Sequence, residues 1–284
     1  MAVDLHTHST ASDGSVSPAH LMRMAADIGL KAIALTDHDT LEGIPEARAT
    51  AQELGITLIP GVEMSLHWDR GEMHMLALWL EPGPGPLQDR LDEIQESRNL
   101  RNQRIVERLQ ESGVKITFEE VKAEAGTGMV GRPHIAAVLV KNRQVESPEE
   151  AFERFLSKNS PTYVERKELE PEEAIRLTLE SHALPILCHP HTVRLDNAEE
   201  YSRFYKWLVG AGLVGLECHY ATYDRPTRER MVRMAREFGL IPSGGSDFHG
   251  DYKPNNRLGL GVVGIEVPDE VYFELLASHQ GPSR

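Results

Sequence analysis

Ala32-Ile33-Ala34-Leu35-Thr36-Asp37-His38-Asp39 is the stretch on which the fold turns. Four apolar residues read as a short buried strand, and they stop at a cluster of ionisable side chains. Just upstream, Ser17 is suited to cap a helix and Pro18 to occupy its first position. Leu21, Met24, Ala25 and Ile28 then share one helical face, and Gly29 ends the run. The unit is therefore helix, glycine, strand, polar strand end.

Read outward, the unit recurs. A helix over about 45–54 stops at Gly55 and leads into Ile56-Thr57-Leu58-Ile59, then Gly61-Val62-Glu63. A strand over 73–80 carries His74 and follows by a hairpin-like link. After a pause, helices over about 172–182, 198–211 and 227–238 each precede a strand. Those strands lead to Cys188-His189-Pro190, to Glu217-Cys218-His219 (strand over 213–217, His219 just past it) and to Ser246-Asp247-Phe248-His249. With Val3-Asp4-Leu5 as the first, this makes about seven strands of an α/β fold, mostly parallel. An open doubly wound sheet has the same local signature. A closed barrel is favoured because ionisable residues end nearly every strand, and only closure brings those ends to one mouth.

Between residues 87 and 166 the rhythm changes. Residues 87–112 read as one long charged helix, Thr117 and Ser147 open capping boxes, and a short helix lies around 133–139. Pro82-Gly83-Pro84-Gly85-Pro86 makes a natural junction. This block is expected to be a helical insertion at the barrel mouth, with the barrel itself built from 1–86 and 167–284.

Composition narrows the function. The chain has 284 residues, 44 acidic against 30 basic, and a formal net charge of −14. Such a balance disfavours a broad basic face for duplex DNA but leaves room for local phosphate binding. Two cysteines, Cys188 and Cys218, make no disulfide framework and suit a reducing cytoplasm. Neither a signal peptide nor a membrane span is expected. The thirteen histidines are the unusual count.

Many of them fall at the strand ends. His6 and His8 lie two apart on an extended segment, so they share a side and can share a metal. Asp13 follows in a glycine-containing loop, and later ends supply His38, Glu63, His74, His189, Asp247 and His249. Imidazoles and carboxylates are poor core material unless something binds them. Mixed nitrogen and oxygen donors suit Zn, Mn or Fe better than Mg or Ca.

These residues resemble the PHP (polymerase and histidinol phosphatase) family of metal-dependent phosphoesterases. The motifs that carry the likeness are Asp4-Leu5-His6-Thr7-His8, Thr36-Asp37-His38, the His189-Pro190 strand end and Ser246-Asp247-Phe248-His249. The segment Gly131-Arg132-Pro133-His134 resembles stand-alone bacterial members, among them 3′,5′-nucleotide bisphosphate phosphatases and 5′→3′ exoribonucleases; a polymerase is not expected in a chain of this length. The resemblance implies a distorted seven-stranded (β/α) barrel and up to three divalent ions, Mn2+ first, with Zn2+ or Fe2+ as alternatives. His6 and His8, with Glu63 and Asp247, would hold one ion. Glu63 would bridge to a second held by His74 and His189, while Asp13, His38 and His249 would bind a third. Asp37, with Asp39, would orient imidazoles from behind.

On that pattern a hydroxide held between ions by Glu63, His6, His8 and Asp247 attacks phosphorus in line, and neither cysteine is needed as a nucleophile. Arg132 would grip a second phosphate, helped by His134, with Lys158 and His219 as further substrate contacts. The implied reaction is removal of phosphate from a small nucleotide, foremost a nucleoside 3′,5′-bisphosphate. Alternatives are an exoribonuclease on short RNA, or a histidinol-phosphate or sugar-phosphate phosphatase. A non-catalytic metal-binding module is disfavoured by the complete ligand set. No membrane or duplex DNA partner is expected.

Overall fold

The computed structural model describes residues 2–126, 130–165, 167–259, 264 and 267–281. Arg166, the expected end of the insertion, lies outside them. The opening unit is built as its sequence dictates. Ser17 caps α1 (Pro18–Asp27) by accepting the His20 N–H at 3.2 Å, and Gly29 leaves it in a left-handed turn (φ 82°). β1 (Val3–Asp4) and β2 (Ala32–Leu35) are parallel, and α2 (Ile44–Leu54) ends at a left-handed Gly55 before β3 (Thr57–Leu66). β4 (Met73–Leu78) turns back antiparallel to β3, and β5 (Leu184–Cys188) is antiparallel to β4. β6 (Gly215–Tyr220) and β7 (Ile241–Gly245) resume the parallel run.

Among the described residues these seven strands form one sheet in the order β1 to β7, a nearly closed barrel. The seam is held by Asp247 N–H to His6 O and His8 N–H to Phe248 O, both 2.9 Å. The Asp4 carboxylate tightens it by accepting Ser246 N–H at 2.9 Å and Gly259 N–H at 2.8 Å. Gly245 is required here, since a Cβ would run into the His6 backbone.

Strand alternation sorts the apolar residues. Ala32 and Ala34 face inward with Leu5, Ile59, Leu76 and Ile186, while Ile33 and Leu35 face outward onto Leu21, Met22 and Ala25 of α1. Both faces are covered, which is why β2 reads as an unbroken apolar run. α7 (Pro171–Glu180), α8 (Ala198–Ala211) and α9 (Arg225–Glu237) supply more of the outer layer. α10 (Asp269–Gln280), which no strong stripe announces, packs Val271, Tyr272 and Leu275 onto the interior cluster beside Val3 and Leu184, so it plugs the end opposite the mouth. No described helix is long and apolar enough to cross a membrane.

α3 (Pro86–Glu111), α4 (Phe118–Ala125), α5 (Arg132–Lys141) and α6 (Pro148–Ala151, continued by a wider turn over Phe152–Leu156) make the helical block. Thr117 forms a full capping box with Glu120. Ser147 forms half of one, because the Glu150 carboxylate turns instead to the Glu146 N–H. α3 serves two cores. Leu87, Leu91 and Ile94 pack with the barrel, whereas Ile105, Val106 and Leu109 pack with Val121, Ile135 and Leu139. The block's own core thus begins halfway along α3, not at its first residue.

Candidate metal centre

At the barrel mouth the strand ends deliver their ionisable side chains to one point. β4 conforms despite its direction: its start, not its end, is at the mouth, and His74 is its second residue. Glu63 occupies the centre. Its Oε2 lies 3.1 Å from His6 Nε2, 3.0 Å from His8 Nε2 and 3.4 Å from His38 Nδ1. Its Oε1 lies 2.8 Å from both His74 Nδ1 and His189 Nε2. Asp247 Oδ1 is 3.4–3.6 Å from His249 Nδ1, His8 Nε2 and His6 Nε2. Asp13 reaches His249 Nε2 at 3.4 Å and His38 Nε2 at 3.8 Å. All nine expected ligands are therefore brought together.

The grouping fits divalent ions. One set of donor atoms within 4.8 Å of one another is His6, His8, Glu63 and Asp247, and another is Asp13, His38 and His249 with His8 added. Both ring nitrogens of His8 and Nδ1 of His38 are buried and, though His8 Nε2 and His38 Nδ1 lie close to Glu63, none makes a well-aligned hydrogen bond, a state that costs stability unless a ligand takes them up. Tautomers are set from behind. His6 Nδ1–H donates to Glu217 Oε1 at 2.9 Å and His249 Nδ1–H to Asp247 O at 2.9 Å, leaving each Nε2 for the centre. Asp39, His189 and Asp247 hold left-handed backbone (φ 54°, 27° and 52°), strain that persists where surrounding structure over-determines it.

The electrostatics are those of a buried cluster whose charges lean on one another. Burial pulls the His8 imidazole down, but Asp247 and Glu63 outweigh it and raise its pKa to about 9. His6 is likewise driven well above its ordinary value: burial opposes this, and the charges of Glu63 and Glu217 prevail. Burial would push the Asp247 carboxyl up, yet Lys253 and His249 hold it well below the usual range.

A match to the PHP domain family runs from residue 4 to residue 167. The chain belongs to the PHP domain family. It is 34% identical over 251 residues to a 5′-3′ exoribonuclease of Haemophilus influenzae, which covers 87% of this chain and 89% of that one. It is 30% identical over 249 residues to a 3′,5′-nucleoside bisphosphate phosphatase of Chromobacterium violaceum, with 87% of each chain covered. A solved structure from Bifidobacterium adolescentis, assigned as a metal-dependent phosphoesterase, superposes with a TM-score of 0.86 at 29% identity, covering 99% of this chain and 96% of that one. With side-chain clusters that could hold metal ions, this PHP protein is a metal-dependent hydrolase of phosphate esters.

The remaining side chains of this PHP phosphoesterase divide sharply. Arg132 lines the same cavity, about 560 Å³, as Asp13, His38, His74 and His249. A second cavity of about 680 Å³ shares His74 and Arg132 with it and runs on to Lys158 and Arg194, making one trench between barrel and helical block. His134, by contrast, turns back and accepts the Gly131 N–H at 3.0 Å, and it is buried; it caps α5 and does not face the trench. His219 is also elsewhere. A register shift between Glu217 and His219 breaks the alternation that would have kept both inward, and His219 sits with Arg225 and Arg228 of α9, where burial lowers its pKa to about 4. Asp37 touches no imidazole by hydrogen bond. It accepts Ser9 N–H, Ser9 O–H and Ser12 O–H at 2.7–2.8 Å, so it shapes the loop that carries Asp13. Asp39 instead pairs with buried Arg98 of α3 at 2.8 Å.

Other residues also meet at the site. Glu217 is fully buried and, besides holding His6, accepts the His189 N–H at 2.6 Å; a lone carboxylate inside an apolar strand was the available signal. Cys188, buried at the end of β5, donates its thiol to Glu63 Oε1 at 3.4 Å. Tyr220 O–H and Lys253 Nζ both donate to Asp247 Oδ2, and nothing local in the sequence marks either.

Proposed function

We propose that this protein removes a phosphate from a small nucleotide, foremost a nucleoside 3′,5′-bisphosphate, leaving a nucleoside monophosphate in the cytoplasm. The observation that carries this is the shared cavity: the ligand cluster and the Arg132 guanidinium line one space, so two phosphates of one small molecule have two anchors. We assign Mn2+ to the centre first, with Zn2+ or Fe2+ as alternatives, held by His6, His8, Asp13, His38, Glu63, His74, His189, Asp247 and His249. Bound ions neutralise phosphoryl oxygens and lower the pKa of the attacking water.

The protein's own part is orientation. Arg132 is braced over the Phe152 ring (5.8 Å) and donates to Leu156 O at 3.1 Å, while Nη2 approaches Glu72 at only 3.6 Å. A phosphate can displace that loose carboxylate contact and take a two-pronged bond. The helical block over 87–166 acts as the substrate-binding insertion. Cleavage of short RNA from its 5′ end is the second reading, and the continuation of the trench to Lys158 and Arg194 supports it.

Replacing Arg132 with alanine tests the assignment. Loss of a charge-assisted contact of about 1.5–3 kcal/mol should lower kcat/KM for adenosine 3′,5′-bisphosphate by about 10- to 100-fold, with little change for a substrate bearing one phosphate. An equal effect on both, or none on the bisphosphate, contradicts the two-anchor reading.

A further inference from the structure

The two oxygens of Asp247 have different surroundings. Oδ1 faces the imidazoles of His6, His8 and His249. Oδ2 points away from them and receives two donors, Tyr220 O–H at 2.8 Å and Lys253 Nζ at 2.7 Å. One donor would suffice to orient this carboxylate. Tyr220 is the buried one, packed among His189, His191 and Tyr223. Lys253 is the one in the trench: its side chain is 44% exposed, and it lines the cavity that also holds Asp13, His38, His249 and Arg132.

The loop that carries it is fixed at both ends. Asp251 N–H donates to Ser15 Oγ at 2.8 Å and Ser15 N–H to His249 O at 3.0 Å. Beyond the lysine, Asn256 donates to the carbonyls of Ser246 and Asp247 at 3.0 and 3.1 Å. The ammonium is thereby held one carboxylate away from the donor atoms of the cluster, on the open side. A cation so placed costs no reorganisation when negative charge gathers beside it.

We propose that Lys253 is a catalytic substrate contact, its ammonium touching the phosphoryl group that is hydrolysed and adding a fixed positive charge beside the metal ligands. It rests on phosphate-ester hydrolysis at this site and is independent of which nucleotide is cleaved. The rival role is positional, in which Lys253 only steadies Asp247 as Tyr220 does. The two predict different losses.

The test uses the metal-loaded protein with Lys253→Gln, Lys253→Arg and Tyr220→Phe, on adenosine 3′,5′-bisphosphate and p-nitrophenyl phosphate. Metal content, the metal concentration for half-activity, and inhibition by inorganic phosphate are read alongside kcat and KM. As a substrate contact, Lys253→Gln keeps its metal but loses about 100-fold or more in kcat/KM, binds inorganic phosphate more weakly, and is partly rescued in Lys253→Arg. Tyr220→Phe instead needs about 10- to 100-fold more metal, and added metal restores most of its rate. If Lys253→Gln shows that same metal-rescued pattern, or an unchanged kcat/KM at full metal content, the proposal is overturned while ester hydrolysis stands. If wild-type protein hydrolyses neither ester, both fall together.

Discussion

Two oxygens of Glu63 face five imidazoles, those of His6, His8 and His38 on one side and His74 and His189 on the other. Imidazole and carboxylate donors gathered this closely are the donor set that divalent transition ions take. Which nitrogen is offered depends on the partner behind each ring, and Glu217 does this for His6 while also accepting the His189 N–H. Glutamine there keeps the shape but can accept only one of these bonds, since its amide nitrogen is a donor. Glu217→Gln should therefore weaken metal binding by about 10- to 100-fold, measured by competition with a chromogenic chelator. Unchanged affinity would show that His6 needs no carboxylate behind it.

At the scale of elements, α3 ties the helical block to the mouth. Arg98 donates to Asp39 within a buried pair, and Gln95 donates to the Asp39 carbonyl at 2.8 Å. Breaking one side of a buried pair leaves an uncompensated charge, so Arg98→Met should destabilise the protein by about 3–5 kcal/mol in urea unfolding; adding Asp39→Asn should recover part of that. A loss near zero would mean that solvent reaches Asp39. Much at this scale was legible in the sequence. Glycine stops, proline starts and apolar runs marked α1, α2 and β2 to within a residue or two; β3 was marked at its start but runs on past Glu63 to Leu66, and the convergence of the strand-end histidines and carboxylates followed once a barrel was assumed. What escaped was orientation. Arg98 and Arg101 lie on the buried stripe of α3 between Ile94 and Ile105, but their partners come from other elements, so the stripe alone does not show what pairs with them. His219 fell to a bulge that no residue pattern signals, and His134 to a backbone cap formed by a ring in place of a hydroxyl. The α10 plug lacked a strong stripe because it covers only the barrel's end.

For the whole molecule, the acidic balance has a local explanation. Three divalent ions would bring a formal −14 to about −8, and the positive field that draws in phosphate would come from those ions with Arg132 and Lys253, not from a basic surface. The two parts of the trench, about 560 and 680 Å³, are of the size of small-molecule sites, and on the proposed reading its extension past Arg132 decides how much more of a chain can lie in it. One measurement bears most directly on this: phosphate release by the metal-loaded wild type from adenosine 3′,5′-bisphosphate and from 5′-AMP, side by side, with and without chelator. Two anchors in one cavity predict a kcat/KM at least about 10-fold higher for the bisphosphate, abolished by the chelator. Equal rates on 5′-AMP, or release that the chelator leaves untouched, would contradict it.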